Sequence, residues 1–160
     1  ALCTWQDEGY GKLVYEGKIL ENYFSDELVD ACEKMYKEWH LDPAPKWVTY
    51  IPSKRNPELV ANFAKRLADR LNLRFGQALD KVKDNDSQQN MLNSFQQVRN
   101  IDGAFEVIIP KREQENQYAP CLLIDDIVDS GWTITLASAL LRQAGVSAIY
   151  PLVLANLTQS

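Results

Sequence analysis

Apolar positions along the chain follow two periodicities in turn. Leu28, Cys32, Met35 and Trp39 recur at helical spacing behind Ser25, an N-cap residue type, with Asp26 and Glu27 in the first turn where the helix dipole favours negative charge. This predicts a helix from Asp26 to His40, ended by Pro43 and Pro45. Trp47 to Ile51 (WVTYI) is rich in β-branched and aromatic residues and predicts a short strand, with Pro52 to Asn56 (PSKRN) as the turn after it. Pro57 suits a first helical position, and Val60, Phe63, Ala64, Leu67 and Leu71 form the buried stripe of a second helix. A weak strand is expected at Ala78 to Val82, a short helix around Met91, Leu92, Phe95 and Val98 within the polar run Lys83 to Asn100, and a strand at Ala104 to Ile109. A solvated connection, Lys111 to Gln117, leads to strand Cys121 to Asp125, helix Thr133 to Ala144, Gly145 as the helix stop, and strand Ala148 to Leu154. Ahead of Ser25, Gly9, Gly11 and Gly17 interrupt a mixture of aromatic and charged residues, which predicts an irregular arm. Strands alternating with helices predict an α/β fold with a central, mostly parallel sheet flanked by helices.

Bulk properties narrow the picture. At 160 residues and 46% hydrophobic, the chain is expected to form a single domain over residues 1–160 with a full core, residues 1–24 serving as arm or hood. Its longest apolar stretches fall far short of a membrane span. The net charge of −5 argues against a broad nucleic-acid footprint for this domain alone, because phosphate-backbone binding needs a concentrated basic surface. Cys3, Cys32 and Cys121 are an odd number and widely spaced, which fits reduced thiols in a cytoplasmic protein. With His40 they lack the closely spaced ligand pair usual in structural zinc sites, so Cys32 and Cys121 read as small buried hydrophobes. The chain begins at Ala1 without an initiator methionine, which leaves processing and excision from a longer chain both open.

Candidate chemistry concentrates at Leu122 to Thr133, LLIDDIVDSGWT. Four apolar residues, Cys121 to Ile124, bury a strand, Asp125 and Asp126 fall where it leaves the sheet, and Asp129-Ser130-Gly131-Trp132-Thr133 turns into a helix. In an open parallel sheet, ligands sit beyond the carboxyl ends of strands. Gly131 lets successive N–H groups face one point, the helix start adds free N–H groups, and Ser130 and Thr133 add hydroxyls. This is a monophosphate cradle beside two carboxylates, suited to a phosphorylated sugar with its hydroxyls or a bound Mg²⁺ at the acids.

The segment resembles the phosphoribosyl-pyrophosphate (PRPP) motif of type I phosphoribosyltransferases. The resemblance implies that Asp129, Ser130, Gly131, Trp132 and Thr133 hold the 5-phosphate and that Asp125 and Asp126 meet the ribose hydroxyls and, through PRPP, Mg²⁺. Asp129 is similar to the general acid/base of the 6-oxopurine enzymes, and Trp132 is bulkier than the usual residue at its position. Pro52 to Arg55 (PSKR) stands where the family places its pyrophosphate loop, implying Ser53, Lys54 and Arg55, with Arg as a bidentate donor. Val82 to Phe105 resembles the ComF-type signature through Gln89, Leu92, Arg99, Asn100, Gly103, Ala104 and Phe105, in a part of the chain that forms the closing loop of type I enzymes. Across TWQDEGYGKLV and FSDELVDACEKM…WVTYIPSKRNPELVANFAKRLADRL, the chain is similar to the phosphoribosyltransferase-like domain fused C-terminally to some bacterial RecQ-type DNA helicases. No helicase motif is present in these 160 residues, so the resemblance implies a domain taken from a longer chain.

The expected activity is transfer of a phosphoribosyl group from PRPP, bound with Mg²⁺, to a nitrogenous base. Asp125, Asp126 and Asp129 are the candidate catalytic residues. The competing expectation is a non-catalytic PRPP- or nucleotide-sensing domain that regulates a helicase. The acceptor base and the oligomeric state, a homodimer included, stay open.

Overall fold

The computed structural model describes residues 1–81, 104–108 and 118–157. In chain order these form β1 (Cys3–Thr4), α1 (Tyr10–Tyr15), a π-helical turn (Glu16–Glu21), α2 (Asp26–Trp39), β2 (Trp47–Tyr50), α3 (Pro57–Leu71), β3 (Arg74–Phe75), β4 (Leu79–Lys81), β5 (Phe105–Val107), β6 (Cys121–Val128), α4 (Trp132–Gln143) and β7 (Ile149–Asn156). Five strands make one sheet in the order β1-β7-β6-β2-β3, every neighbouring pair parallel. β4 and β5 form a separate antiparallel ribbon. The α/β fold with a central parallel sheet flanked by helices is the one the alternating pattern predicts.

Burial explains why β6 reads as an unbroken apolar run. Leu122 and Ile124 pack with Val48, Tyr50, Leu152 and Leu154 in one core cluster, while Cys121 and Leu123 pack with Trp47 in the other. Successive side chains point to opposite faces, and here both faces are covered. Full burial of each leucine or isoleucine contributes roughly 1.5–3 kcal/mol. α3 covers the first face with Leu59, Val60, Phe63, Ala64 and Leu67. α4 covers the second with Ala137 and Leu141. Cys32 and Cys121 are buried free thiols, each pushed up to about 12 by burial.

Helix ends follow from local chemistry. Gly145 (φ 107) closes α4: its N–H donates to Arg142 O at 3.0 Å and that of Val146 to Leu141 O at 3.1 Å, the paired bonds of a Schellman ending. Ser25 stands at the N-cap position of α2, but its side chain makes no capping bond and its Oγ is buried without a partner.

The leading segment differs most from expectation. The glycines there predict an irregular arm, whereas the chain folds into β1, α1 and the π-helical turn. β1 adds an edge strand to the sheet by pairing Cys3 with Ala155 and Thr4 with Asn156. The Asp7 carboxylate accepts from the N–H groups of Thr4, Gly9 and Gly11 at 3.2, 3.0 and 2.8 Å. Gly11 permits a close approach: a Cβ there would lie 2.2 Å from Thr4 O. Gly11 and Gly17 serve packing, a role that periodicity does not register. The helix expected near Met91 to Val98, the polar run Lys83 to Asn100 and the connection Lys111 to Gln117 lie outside the described residues.

Candidate functional site

The sheet order creates the site. β2 and β6 are neighbours, yet α3 leaves β2 over one face toward β3 and α4 leaves β6 over the other toward β7. Diverging connections open a crevice at the carboxyl ends of the two strands, where open α/β sheets bind ligands. A cleft of about 690 Å³ lies there, lined by Ser53, Lys54 and Arg55 after β2 and by Asp125 and Asp126 of β6. The two segments that sequence matching selected, separated by some seventy positions, therefore face one space.

β6 is longer than the apolar run suggests. Asp125 and Ile127 still pair with Val153 and Ala155 of β7. On its other side β6 outlasts β2, whose last pair is Tyr50 with Ile124. The acids thus sit inside a strand but beyond the end of its neighbour, which turns them toward the cleft instead of a full ladder.

Both carboxylates are largely buried, at 9% and 8% exposure. Burial, with the adjacent Asp126 charge, holds the Asp125 carboxyl well above the ordinary carboxylate range, opposed by the Asp126 N–H donating to Asp125 Oδ1 at 2.9 Å and by Lys18. Asp126 Oδ1 accepts from Ile127 N at 2.8 Å, and Asp126 Oδ2 takes an ion pair from Lys18 Nζ. Two adjoining buried acids with one nearby ammonium form a site poised for hydroxyl donors or a cation.

A smaller recess of about 200 Å³ adjoins, lined by Asp125, Asp129, Ser130, Gly131 and Thr133. Asp125 and Thr133 line both spaces, so they mark the boundary. Gly131 has φ 81, which L side chains rarely adopt, and its carbonyl accepts from Thr135 N at 3.0 Å and Thr135 Oγ1 at 2.9 Å, starting α4 tightly. Asp129 and Ser130 are exposed on this turn, and Trp132 opens α4 half-buried. Asp129 lines the recess and not the larger cleft.

Across the cleft, Ser53 Oγ accepts from Asn56 N at 3.3 Å, which folds the turn back toward α3. Lys18 and Lys81 add two further basic residues, and Ile51, Leu59, Val60 and Phe105 form apolar wall. Lys18, Lys54, Arg55 and Lys81 against Asp125 and Asp126 leave the lining at a formal +2, in a chain whose total is −5. This reversal of sign suits a multiply charged anion. Sequence reasoning missed Lys18 and Lys81; a lone lysine in a glycine-broken stretch carries no periodic signal. Phe105 belongs to the expected strand Ala104 to Ile109 and to the ComF-type signature, and Arg99, with Gln89, Leu92, Asn100 and Gly103, lies outside the described residues.

No group of three or more His, Cys, Asp or Glu side chains placed to hold a metal ion occurs among the described residues. Asp125 and Asp126 alone would offer two hard oxygen donors, the usual protein share of a Mg²⁺ that keeps water and substrate phosphates as its other ligands. No helix among the described residues is long and apolar enough to cross a membrane.

Residues 60–157 match the family described as phosphoribosyl transferase domain. Among solved structures, an orotate phosphoribosyltransferase from Aeropyrum pernix is 14% identical with a TM-score of 0.46, over 83% of this chain and 73% of that one. An adenine phosphoribosyltransferase from Leishmania donovani is 14% identical with a TM-score of 0.49, over 86% of this chain and 55% of its own length. A Trypanosoma cruzi hypoxanthine phosphoribosyl transferase is 14% identical with a TM-score of 0.45, over 84% and 72%. No curated protein matches the chain in sequence.

Proposed function

The chain belongs to the phosphoribosyl transferase domain family, and from that membership we propose that its cleft binds PRPP, or a ribose-5-phosphate nucleotide, with Mg²⁺ and transfers the phosphoribosyl group to a nitrogenous base. The observation that carries this reading is that a basic turn and an acid pair line one strand-end cleft and that the glycine turn before α4 lines a recess adjoining it.

In this reading the 5-phosphate occupies the recess that Asp129, Ser130, Gly131 and Thr133 line and beside which Trp132 opens α4, with N–H and hydroxyl donors at the helix start. The ribose hydroxyls lie at Asp125 and Asp126, and the pyrophosphate lies toward Ser53, Lys54 and Arg55. Mg²⁺ bound with the pyrophosphate would reach Asp125 and Asp126 and supply charge neutralisation for the leaving group. In the transfer, the C1–O bond to pyrophosphate breaks with its electron pair leaving on pyrophosphate. A ring nitrogen of the base forms the new bond to C1 and releases its proton. The carboxylates near the ring stabilise positive charge developing on the sugar, while Lys54 and Arg55 stabilise the departing anion. Asp129, exposed at the recess, is the candidate to accept the proton.

Within the family we place the chain with ComF-like domains, nearest those fused to RecQ-type DNA helicases. It would form one unit over residues 1–160 of a longer cytoplasmic protein. The sequence resemblance of Thr4 to Val14, of Phe24 to Leu71 and of Val82 to Phe105 supports this.

Titration calorimetry of PRPP with and without Mg²⁺, followed by pyrophosphate release across a panel of bases, tests the proposal. Binding with base-dependent pyrophosphate release supports transfer. Binding without release with any base is the result expected of a nucleotide-sensing module. No binding in either condition refutes both.

A further inference from the structure

Lys18 is a charged group in the cleft that belongs to neither of the two turns matched to PRPP. Its backbone is fixed. A Cβ on the preceding Gly17 would lie 2.8 Å from both Tyr23 O and Phe24 Cδ1, and Tyr23 N donates to Gly17 O at 3.0 Å. Phe24 itself is in the core, edge-on to Phe63 at 5.7 Å. Movement at this position is therefore movement of the four-carbon side chain, which is 29% exposed and ends on Asp126.

That ion pair occupies the carboxylate oxygen a ribose would need. Asp126 Oδ1 is engaged by the Ile127 N–H, and Oδ2 by Lys18. A sugar hydroxyl that takes Oδ2 must share it with the ammonium or displace it. A displaced ammonium is left with the buried Asp125, which already accepts from Asp126 N, and with like charges at Lys54, Arg55 and Lys81, so a further anion favours its release. A ligand carrying only a 5-phosphate places its anion in the recess, whose lining does not include Lys18. A ligand that also carries an anionic group on C1 places it in the cleft that Lys18 lines.

We propose that Lys18 exchanges partners on binding: it neutralises Asp126 in the ligand-free site and passes to the C1 pyrophosphate of PRPP, making the site selective for PRPP over ribose 5-phosphate. This rests on the cleft being a PRPP site. Both ligands break the Lys18–Asp126 pair, and only PRPP provides a new one, so the arm reads whether the ribose still carries its leaving group.

The test is titration calorimetry of PRPP and ribose 5-phosphate at one fixed Mg²⁺ concentration, with the unmutated protein, Lys18→Met and Lys18→Arg. Lys18→Met should bind ribose 5-phosphate more tightly and PRPP more weakly, lowering the preference for PRPP by about tenfold, the effect of roughly one charge-assisted hydrogen bond. Lys18→Arg should keep the preference. Equal changes for both ligands, or no change in their ratio, overturn the exchange while leaving the PRPP site standing. An unmutated protein that binds neither ligand overturns the site reading and this inference with it. If Lys18→Met does not fold, ¹³Cε-lysine spectra of the unmutated protein decide, with the Lys18 signal assigned from Lys18→Arg. PRPP and ribose 5-phosphate should move that signal to two different positions, and a common position overturns the exchange.

Discussion

Replacing Gly131 by alanine separates backbone strain from steric crowding at the start of α4. Gly131 has φ 81, and a Cβ built there meets nothing within 4 Å. The mutation therefore carries only the cost of a left-handed backbone, about 1–2 kcal/mol for an L residue. For a domain of this size that lowers the melting temperature by about 2–8 °C. Gly145→Ala is the comparison: φ 107 imposes similar strain, and its Cβ would also lie 2.6 Å from the Tyr118 ring. Tyr118 is exposed and its ring can turn aside, so Gly145→Ala should melt at least as low as Gly131→Ala. The order reverses for ligand. Gly131 lines the recess, and its methyl group would stand among the N–H groups proposed to hold the 5-phosphate. Loss of one charge-assisted hydrogen bond weakens ribose 5-phosphate by about 10- to 100-fold. Gly145→Ala should leave that affinity unchanged. Thermal melts with and without ribose 5-phosphate measure both effects. A Gly131→Ala protein that melts with the unmutated one, or a Gly145→Ala protein no less stable than it, refutes the strain argument.

Two further outcomes follow from buried ionisable groups. Asp125 has its carboxyl raised by burial and by Asp126, so its contribution to stability is complete below the ordinary carboxylate range and is lost as pH rises through its raised value. Asp125→Asn should therefore gain stability relative to the unmutated protein as pH climbs from about 4, the unfolded reference; a pH-independent difference in denaturant midpoints would contradict this. Cys32 and Cys121 are pushed up to about 12 and Cys3 to about 11, so none presents appreciable thiolate at pH 8. Alkylation followed by mass spectrometry should find Cys32 and Cys121 protected until denaturant is added, and rapid native labelling of either would show that its burial is wrongly assigned.

Much of the fold was legible because its signals are local. α3 begins at Pro57 and ends at Leu71, where the proline and the last apolar stripe residue predict it. α2 and β7 differ from expectation by one or two residues at an end. β6 runs three residues past Asp125, because strand pairing with β7 continues regardless of side-chain polarity. The acid pair and the basic turn were legible as motifs, but their meeting depends on β2 and β6 being neighbours, a non-local fact. Lys18 was not legible at all. Its position depends on Gly11 and Gly17 acting as contact points and on β1 docking at the far edge of the sheet. Glycine in sequence signals freedom, and here it marks tight packing instead.

The central claim is that the recess holds the 5-phosphate of PRPP on one turn and the adjoining cleft holds its pyrophosphate on another. Phosphorus NMR of PRPP tests it directly, since the 5-phosphate and pyrophosphate resonances are resolved in one spectrum. With Mg²⁺ and the unmutated protein, both should shift and broaden on binding. Gly131→Ala should selectively diminish the change at the 5-phosphate, and the double substitution Lys54→Ala, Arg55→Ala that at the pyrophosphate. Resonances unaffected by the unmutated protein, or both variants diminishing both signals alike, would contradict the account.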